Sequence, residues 1–168
     1  WLSSPHIGTN ELQYVNEAFV TNWIAPLGPH VNAFEQALQI CTKTKHAAVL
    51  TSGTSAIHLA LILLGVKQGD IVFCQSITFS ASANPIVYQG AIPVFIDSEN
   101  HTWNMCPNAL EDAINKYIQI GKKPKAIIVS GYFNPIHKGH VVFQKGKSQW
   151  RSTHCHCKQR LPKSTKRV

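Results

Sequence analysis

Eight consecutive residues, Thr51-Ser52-Gly53-Thr54-Ser55-Ala56-Ile57-His58, combine what an anion-holding turn requires. Gly53 lets a ligand approach the main chain, and N–H groups at a helix start point outward with the positive end of the helix dipole behind them. Thr54, Ser55 and Ala56 would supply those amides. The same string also suits a plain helix cap, in which Ser52, Thr54 or Ser55 accepts from the first turn. Spacing alone leaves both readings open. A second candidate is Ser76-Ile77-Thr78-Phe79, where an aromatic ring adjoins a polar turn. Phe79 either stacks on a flat ligand or belongs to the core.

For these residues to act together, a scaffold must bring them to one end. Residues 9–19, with Glu11, Leu12, Val15 and Phe19 spaced for one face, predict a helix, followed by a Pro/Gly loop over 23–29 and a second helix over 31–39. Strands and helices then alternate: a buried strand at 47–51, a helix at 55–64 closed by Gly65, a strand at 71–75 and a helix at 80–89 closed by Gly90. The pattern continues with a strand at 92–96, a helix at 108–120 closed by Gly121, and a strand at 126–129. Such alternation predicts an α/β fold, a mainly parallel sheet covered by helices, with ligands at the carboxyl ends of the strands. The turns at 51–55 and 76–79 both follow strands, so both fall on that edge.

The charge is unevenly placed. Lys and Arg number 16 against 8 Asp and Glu, yet residues 1–137 hold 7 basic and 8 acidic residues, whereas residues 138–168 hold 9 basic and none acidic. The basic excess belongs to the tail and does not mark the body as nucleic-acid binding. A hydrophobic content of 44% supports one domain with a core. After Phe143 apolar periodicity fades, and the tail is expected to be unstructured. The chain has no apolar run of membrane-spanning length and no signal-peptide pattern at its start, which leads to the expectation of a cytoplasmic, non-membrane body. Cys41, Cys74 and Cys106 stand singly, and Cys155 and Cys157 lie in a His-Cys-His-Cys string. An odd count without a second spaced pair predicts reduced thiols and no metal site.

The ordered segments Ser4-Pro5-His6 with Gly8, Thr21-Asn22-Trp23-Ile24-Ala25-Pro26-Leu27-Gly28, Phe34-Glu35, the stretch from Thr51 to Leu61, Ile77-Thr78-Phe79-Ser80-Ala81-Ser82-Ala83-Asn84-Pro85, and Pro93-Val94-Phe95-Ile96-Asp97 carry a resemblance. Over residues 1–129 the chain resembles the amino-terminal part of the DegT/DnrJ/EryC1/StrS sugar aminotransferases, among them the enzymes that aminate nucleotide-linked 4-keto-6-deoxy sugars of the UDP-N-acetylbacillosamine or perosamine type. The resemblance implies a partial fold-type I large domain, pyridoxal 5′-phosphate as cofactor, glutamate as amino donor and a homodimer. By position, Gly53, Thr54 and Ser55 would hold the cofactor phosphate, Phe79 would lie against the pyridine ring, and the loop 23–28 would border the substrate entrance. His58 would be a packing residue. In the family the lysine that carries the cofactor, and the carboxylate on its ring nitrogen, accompany His-Leu-Tyr-Gly, Glu-Asp-Ala-Ala and Ser-x-x-x-x-Lys segments. None of these occurs in the 168 residues, and Asp97 stands in the wrong context to replace them. The resemblance therefore implies a truncated, inactive aminotransferase with no catalytic residue of its own.

A second resemblance begins where the first ends. The string from Ile127 to His140, with Gly131-Tyr132-Phe133-Asn134-Pro135 ahead of His137-Lys138-Gly139-His140, resembles the start of a cytidylyltransferase-type nucleotidyltransferase. There the H-x-G-H pair, His137 and His140, would contact a nucleotide triphosphate and stabilise developing charge. This divides the chain into an aminotransferase part (1–129), a nucleotidyltransferase-like segment (130–146) and a tail (147–168). Moving plausible codons of the tail by one base restores an apolar strand and a helix. The expectation is a junction near 127–130 and a reading frame that slips near 145–147. The alternatives are a nucleotidyltransferase fragment, a non-enzymatic remnant, or a basic arm on nucleic acid. The last is disfavoured because aromatic interleaving in the tail is limited to Trp150.

Overall fold

The structure, a computed structural model, describes residues 6–130. His137, His140 and the segments assigned beyond them lie outside the described residues. The described residues divide into two compact units, the first ending at Leu50 and the second beginning at Thr51.

The first unit contains α1 (Glu11–Val20) and α2 (Pro29–Thr42). Helix α1 ends where Asn22 turns left-handed at φ 57°. The amides of Asn22 and Trp23 then close back onto the carbonyls of Phe19 and Ala18 at 3.2 and 2.9 Å, a Schellman arrangement with Asn in the usual glycine position. Helix α2 starts two residues earlier than its apolar spacing predicts, because Pro29 brings a preset φ to the first turn and has no N–H to leave unsatisfied. Neither helix contains a buried residue. The predicted strand at 47–51 does not form among the described residues. Its apolar run is real, but a strand needs a ladder partner. Here the Val49 amide instead donates to the Glu35 carboxylate at 3.0 Å.

In the second unit, α3 (Gly53–Leu63) precedes β1 (Ile71–Gln75), a 3₁₀ turn (Ser80–Ser82), α4 (Asn84–Tyr88), β2 (Ile92–Ile96), α5 (Pro107–Gln119) and β3 (Ala126–Ile128). The strands form a parallel sheet in the order β2-β1-β3. Ile71 pairs with Ile92 through to Gln75 with Ile96, and Val72 with Ala126 through to Cys74 with Ile128. All five residues of β1 are buried. A central strand covered on both faces must be apolar at successive positions, and Ile71-Val72-Phe73-Cys74 is. Its alternation feeds two cores. Val72 and Cys74 pack with Leu61 of α3 and Ile86 of α4, while Ile71 and Phe73 pack with Ile96, Met105 and the inner face of α5. The Phe73 and Tyr117 rings meet edge to face, with centroids 5.5 Å apart.

The helix predicted over 80–89 is two pieces. Pro85 cannot donate to the preceding turn and its ring crowds that turn's carbonyl, so a 3₁₀ turn gives way to a new short helix with Pro85 in its first turn. Gly90 then reverses the chain at φ 67°, where an added Cβ would meet Gln68 Cβ at 3.3 Å. Among the described residues no helix is long and apolar enough to cross a membrane.

Candidate functional site

Seven residues connect α3 to β1, and Leu61, near the end of α3, packs against Val72 and Cys74. An 11-residue helix spans roughly 16 Å and a five-residue strand about the same. Helix α3 therefore runs back along the sheet, and its start returns to the carboxyl end of β1. The loop that leaves β1 begins at that end and leads through Phe79 into the 3₁₀ turn, which packs against α3. By this topology the start of α3 and the loop that carries Phe79 both lie toward the carboxyl end of β1.

At this edge Ser52 adopts extended backbone and caps α3. Its Oγ accepts the Ser55 amide at 3.1 Å and shares a hydrogen bond with Ser55 Oγ at 3.0 Å, while its carbonyl accepts the Ala56 amide at 3.1 Å. The first-turn amides without a protein acceptor among the described residues are therefore those of Gly53 and Thr54. The first turn of α3 carries no acidic side chain, so nothing there opposes a bound anion. Phe79 is 74% exposed, which sets the core reading aside. Its position is set by the bonds that follow it: the Phe79 carbonyl accepts the Ser82 amide at 2.9 Å, and the hydroxyls of Thr78 and buried Ser82 share a hydrogen bond at 2.8 Å.

His58 lies farther along α3. Its Nε2 is 2.5 Å from Gln89 Nε2 and its ring meets Tyr88 edge-on, so it ties α3 to the residues at the end of α4. Asp97 joins loops: its Oδ1 accepts the Ser98 amide at 2.8 Å and the Ser76 hydroxyl at 3.4 Å. In the first unit, the 23–28 loop borders an apolar groove of about 510 Å³ lined by Val15, Phe19, Trp23, Ile24 and Pro26 among others. Gly28 lies against the Trp23 ring so closely that a Cβ would sit 3.2 Å from Cε3. Among the described residues there is no group of three or more His, Cys, Asp or Glu side chains that could hold a metal.

Two features of this edge escape spacing arguments. Gln75, the last residue of β1, is 4% exposed, and its Nε2 donates to the Trp103 carbonyl at 3.1 Å. Trp103 sits in the β2–α5 loop with a left-handed φ of 60°, a region that bulky residues avoid. The only local signal was a polar residue closing an apolar strand. Its partner, 28 positions away, has no sequence signature.

A family model described as the DegT/DnrJ/EryC1/StrS aminotransferase family matches residues 5–136. The chain belongs to this family. The match takes in Gly131–Ile136, residues that the second resemblance shares, and stops just before His137. Over 128 residues the chain is 59% identical to EpsN of Bacillus subtilis (strain 168), named as a pyridoxal phosphate-dependent aminotransferase, covering 76% of this chain and 33% of EpsN. It is 36% identical over 139 residues to the GDP-perosamine synthase of Escherichia coli O157:H7, covering 82% and 36% of the two chains. Spr1654 of Streptococcus pneumoniae, named as a sugar aminotransferase and solved in its PMP-form, superposes with a TM-score of 0.69 at 30% identity, over 84% of this chain and 34% of that one. Its PLP-form is known as well. The chain spans about a third of the length of the relatives it matches.

Proposed function

We propose that this chain is the amino-terminal part of a pyridoxal 5′-phosphate-dependent aminotransferase acting on a nucleotide-linked 4-keto-6-deoxy sugar, with glutamate as amino donor, in a homodimer. The observation that carries the reading is the start of α3, where the Gly53 and Thr54 amides have no protein acceptor among the described residues, in a member of this family whose Phe79 is exposed. Names of relatives that include a GDP-perosamine synthase support the sugar substrate.

The residues present fit the cofactor. The amides of Gly53 and Thr54 and the hydroxyls of Thr54 and Ser55 would hold the phosphate, a dianion at the positive end of α3. Phe79 would present its face to the pyridine ring and exclude water from that side. When bound, the cofactor would supply the transfer of an amino group from the donor to the keto carbon. Retaining that chemistry also takes a lysine and a ring-nitrogen carboxylate, and the family's segments for both are absent from these 168 residues. The chain assayed by itself is therefore proposed not to transaminate.

Titration with pyridoxal phosphate, followed by absorbance, tests the site. Gly53→Asp should abolish binding while α3 still forms, since an acidic residue suits a helix's first turn but repels phosphate. Phe79→Ala should weaken binding about tenfold. Full affinity in both variants would remove the assigned site.

For the far end, we propose the divisions 1–129, 130–146 and 147–168, with His137 and His140 contacting a nucleotide triphosphate and the last segment out of frame. The G-Y-F-N-P-x-H-x-G-H string supports it. CTP binding that disappears in His137→Ala and His140→Ala tests the middle segment, and the nucleotide sequence across codons 120–168 tests the frame.

A further inference from the structure

Gln75 is an odd choice for its position. Its side chain is buried at the end of the central strand, its Nε2 is used, and its Oε1 is buried with no hydrogen-bond partner among the described residues. A half-paired buried amide is poorer for stability than an apolar side chain of similar size. The carbonyl it holds belongs to Trp103, a residue that is 62% exposed and whose left-handed backbone is itself costly. Two unfavourable features joined by one hydrogen bond call for a reason other than stability.

The connections leaving this bond supply one. The Trp103 amide donates to the Glu99 carbonyl at 3.2 Å, the Glu99 amide to the Asn104 carbonyl at 2.9 Å, and Ser98 pairs with Met105, so the two arms of the loop are tied together. That unit is joined to Asp97, whose carboxylate accepts from both Ser98 and Ser76. Ser76 opens the loop that carries Phe79. Gln75 thus holds the β2–α5 loop by the Trp103 carbonyl, and Asp97 links that loop to the one that carries Phe79.

We propose that Gln75 is a positioning residue for the Phe79 loop, acting through Trp103, the Ser98–Met105 pairing and the Asp97–Ser76 contact. The cofactor consequence rests on the function proposed above, whereas the positioning itself does not.

The test is Gln75→Met in the full chain, with Ser76→Ala and Phe79→Ala alongside. Gln75→Met removes the hydrogen bond at nearly constant volume and leaves no buried amide, so its melting temperature should equal or exceed the parent's. Amide exchange at Ile77–Phe79 and at Trp103–Asn104 should nevertheless quicken about tenfold while β1 keeps its protection. Ser76→Ala should reproduce the change at Ile77–Phe79 and spare Trp103. Affinity for pyridoxamine 5′-phosphate should fall about fivefold in Gln75→Met, the factor one neutral hydrogen bond is worth. It should fall no further in the double variant with Phe79→Ala than in Phe79→Ala alone. Unchanged exchange at Ile77–Phe79 in Gln75→Met overturns the proposal. So does a lowered melting temperature with exchange raised throughout β1, the mark of a residue that merely supports the fold. If the exchange results stand but the parent chain takes up no pyridoxamine phosphate, the positioning role holds and the cofactor reading fails.

Discussion

The Cys74 thiol lies wholly within the core beneath α3 and α4, and burial raises its pKa above the ordinary thiol range. Cys41 is exposed. A thiol reagent at neutral pH should label Cys41 within minutes and leave Cys74 untouched until urea unfolds the second unit, with mass spectrometry of peptides as the readout. Glu99 makes a pH-dependent counterpart. The Thr102 hydroxyl, and then the amides of His101 and Thr102, donate to its carboxylate and hold its pKa at about 2. A depressed carboxylate pKa contributes stability that is complete above the unfolded value and is lost as pH falls through the folded one. The β2–α5 loop should therefore stay ordered at pH 4 and loosen near pH 2. The Glu99 carboxyl signal should titrate there in NMR, and Thr102→Val should move that titration upward. At this scale the helix start after Ser52 was legible, because a Ser-Gly-Thr-Ser string ahead of an apolar run has local capping chemistry. Which amides Ser52 would occupy was not, since a cap and an anion site use the same residues.

Elements were legible where pattern and partner coincide. Strands β1 and β2 appear over the residues their apolar runs predict, because each finds a ladder within the unit. The run at 47–51 has the same composition and no ladder among the described residues. Pairing is a long-range property that a local window does not contain. Helix 80–89 misled for the opposite reason: its ends were marked, but Pro85 reset it from within. The sheet's asymmetry predicts a contrast between two phenylalanines. Phe73 is fully buried in the central strand, and Phe95, on an edge strand, is exposed. Phe73→Ala should cost about 3–5 kcal/mol in urea unfolding, and Phe95→Ala no more than about 0.5 kcal/mol.

For the whole molecule, the two units should differ in local stability. Helices α1 and α2 contain no buried residue, whereas β1 is buried throughout. Amide exchange in α1 and α2 should be faster than in β1 by several orders of magnitude, because fraying helices open without global unfolding. Equal protection in the two units would show that the first has a core of its own. The α/β class with its parallel sheet was legible from alternation alone. The division into two units was not, because it depends on which apolar faces find cover.

The order β2-β1-β3 also constrains how the sheet comes into being. During synthesis β1 emerges first among the strands of the described residues and waits for β2, which arrives after one short helix; β3 follows a longer excursion through α5 and must close the larger loop on the opposite side. Loop-closure entropy and the nearness of β2 then favour a nucleus built on the β1–β2 ladder, with β3 docking afterwards. A lesion in α4 should slow refolding, and one in α5 should mainly hasten unfolding.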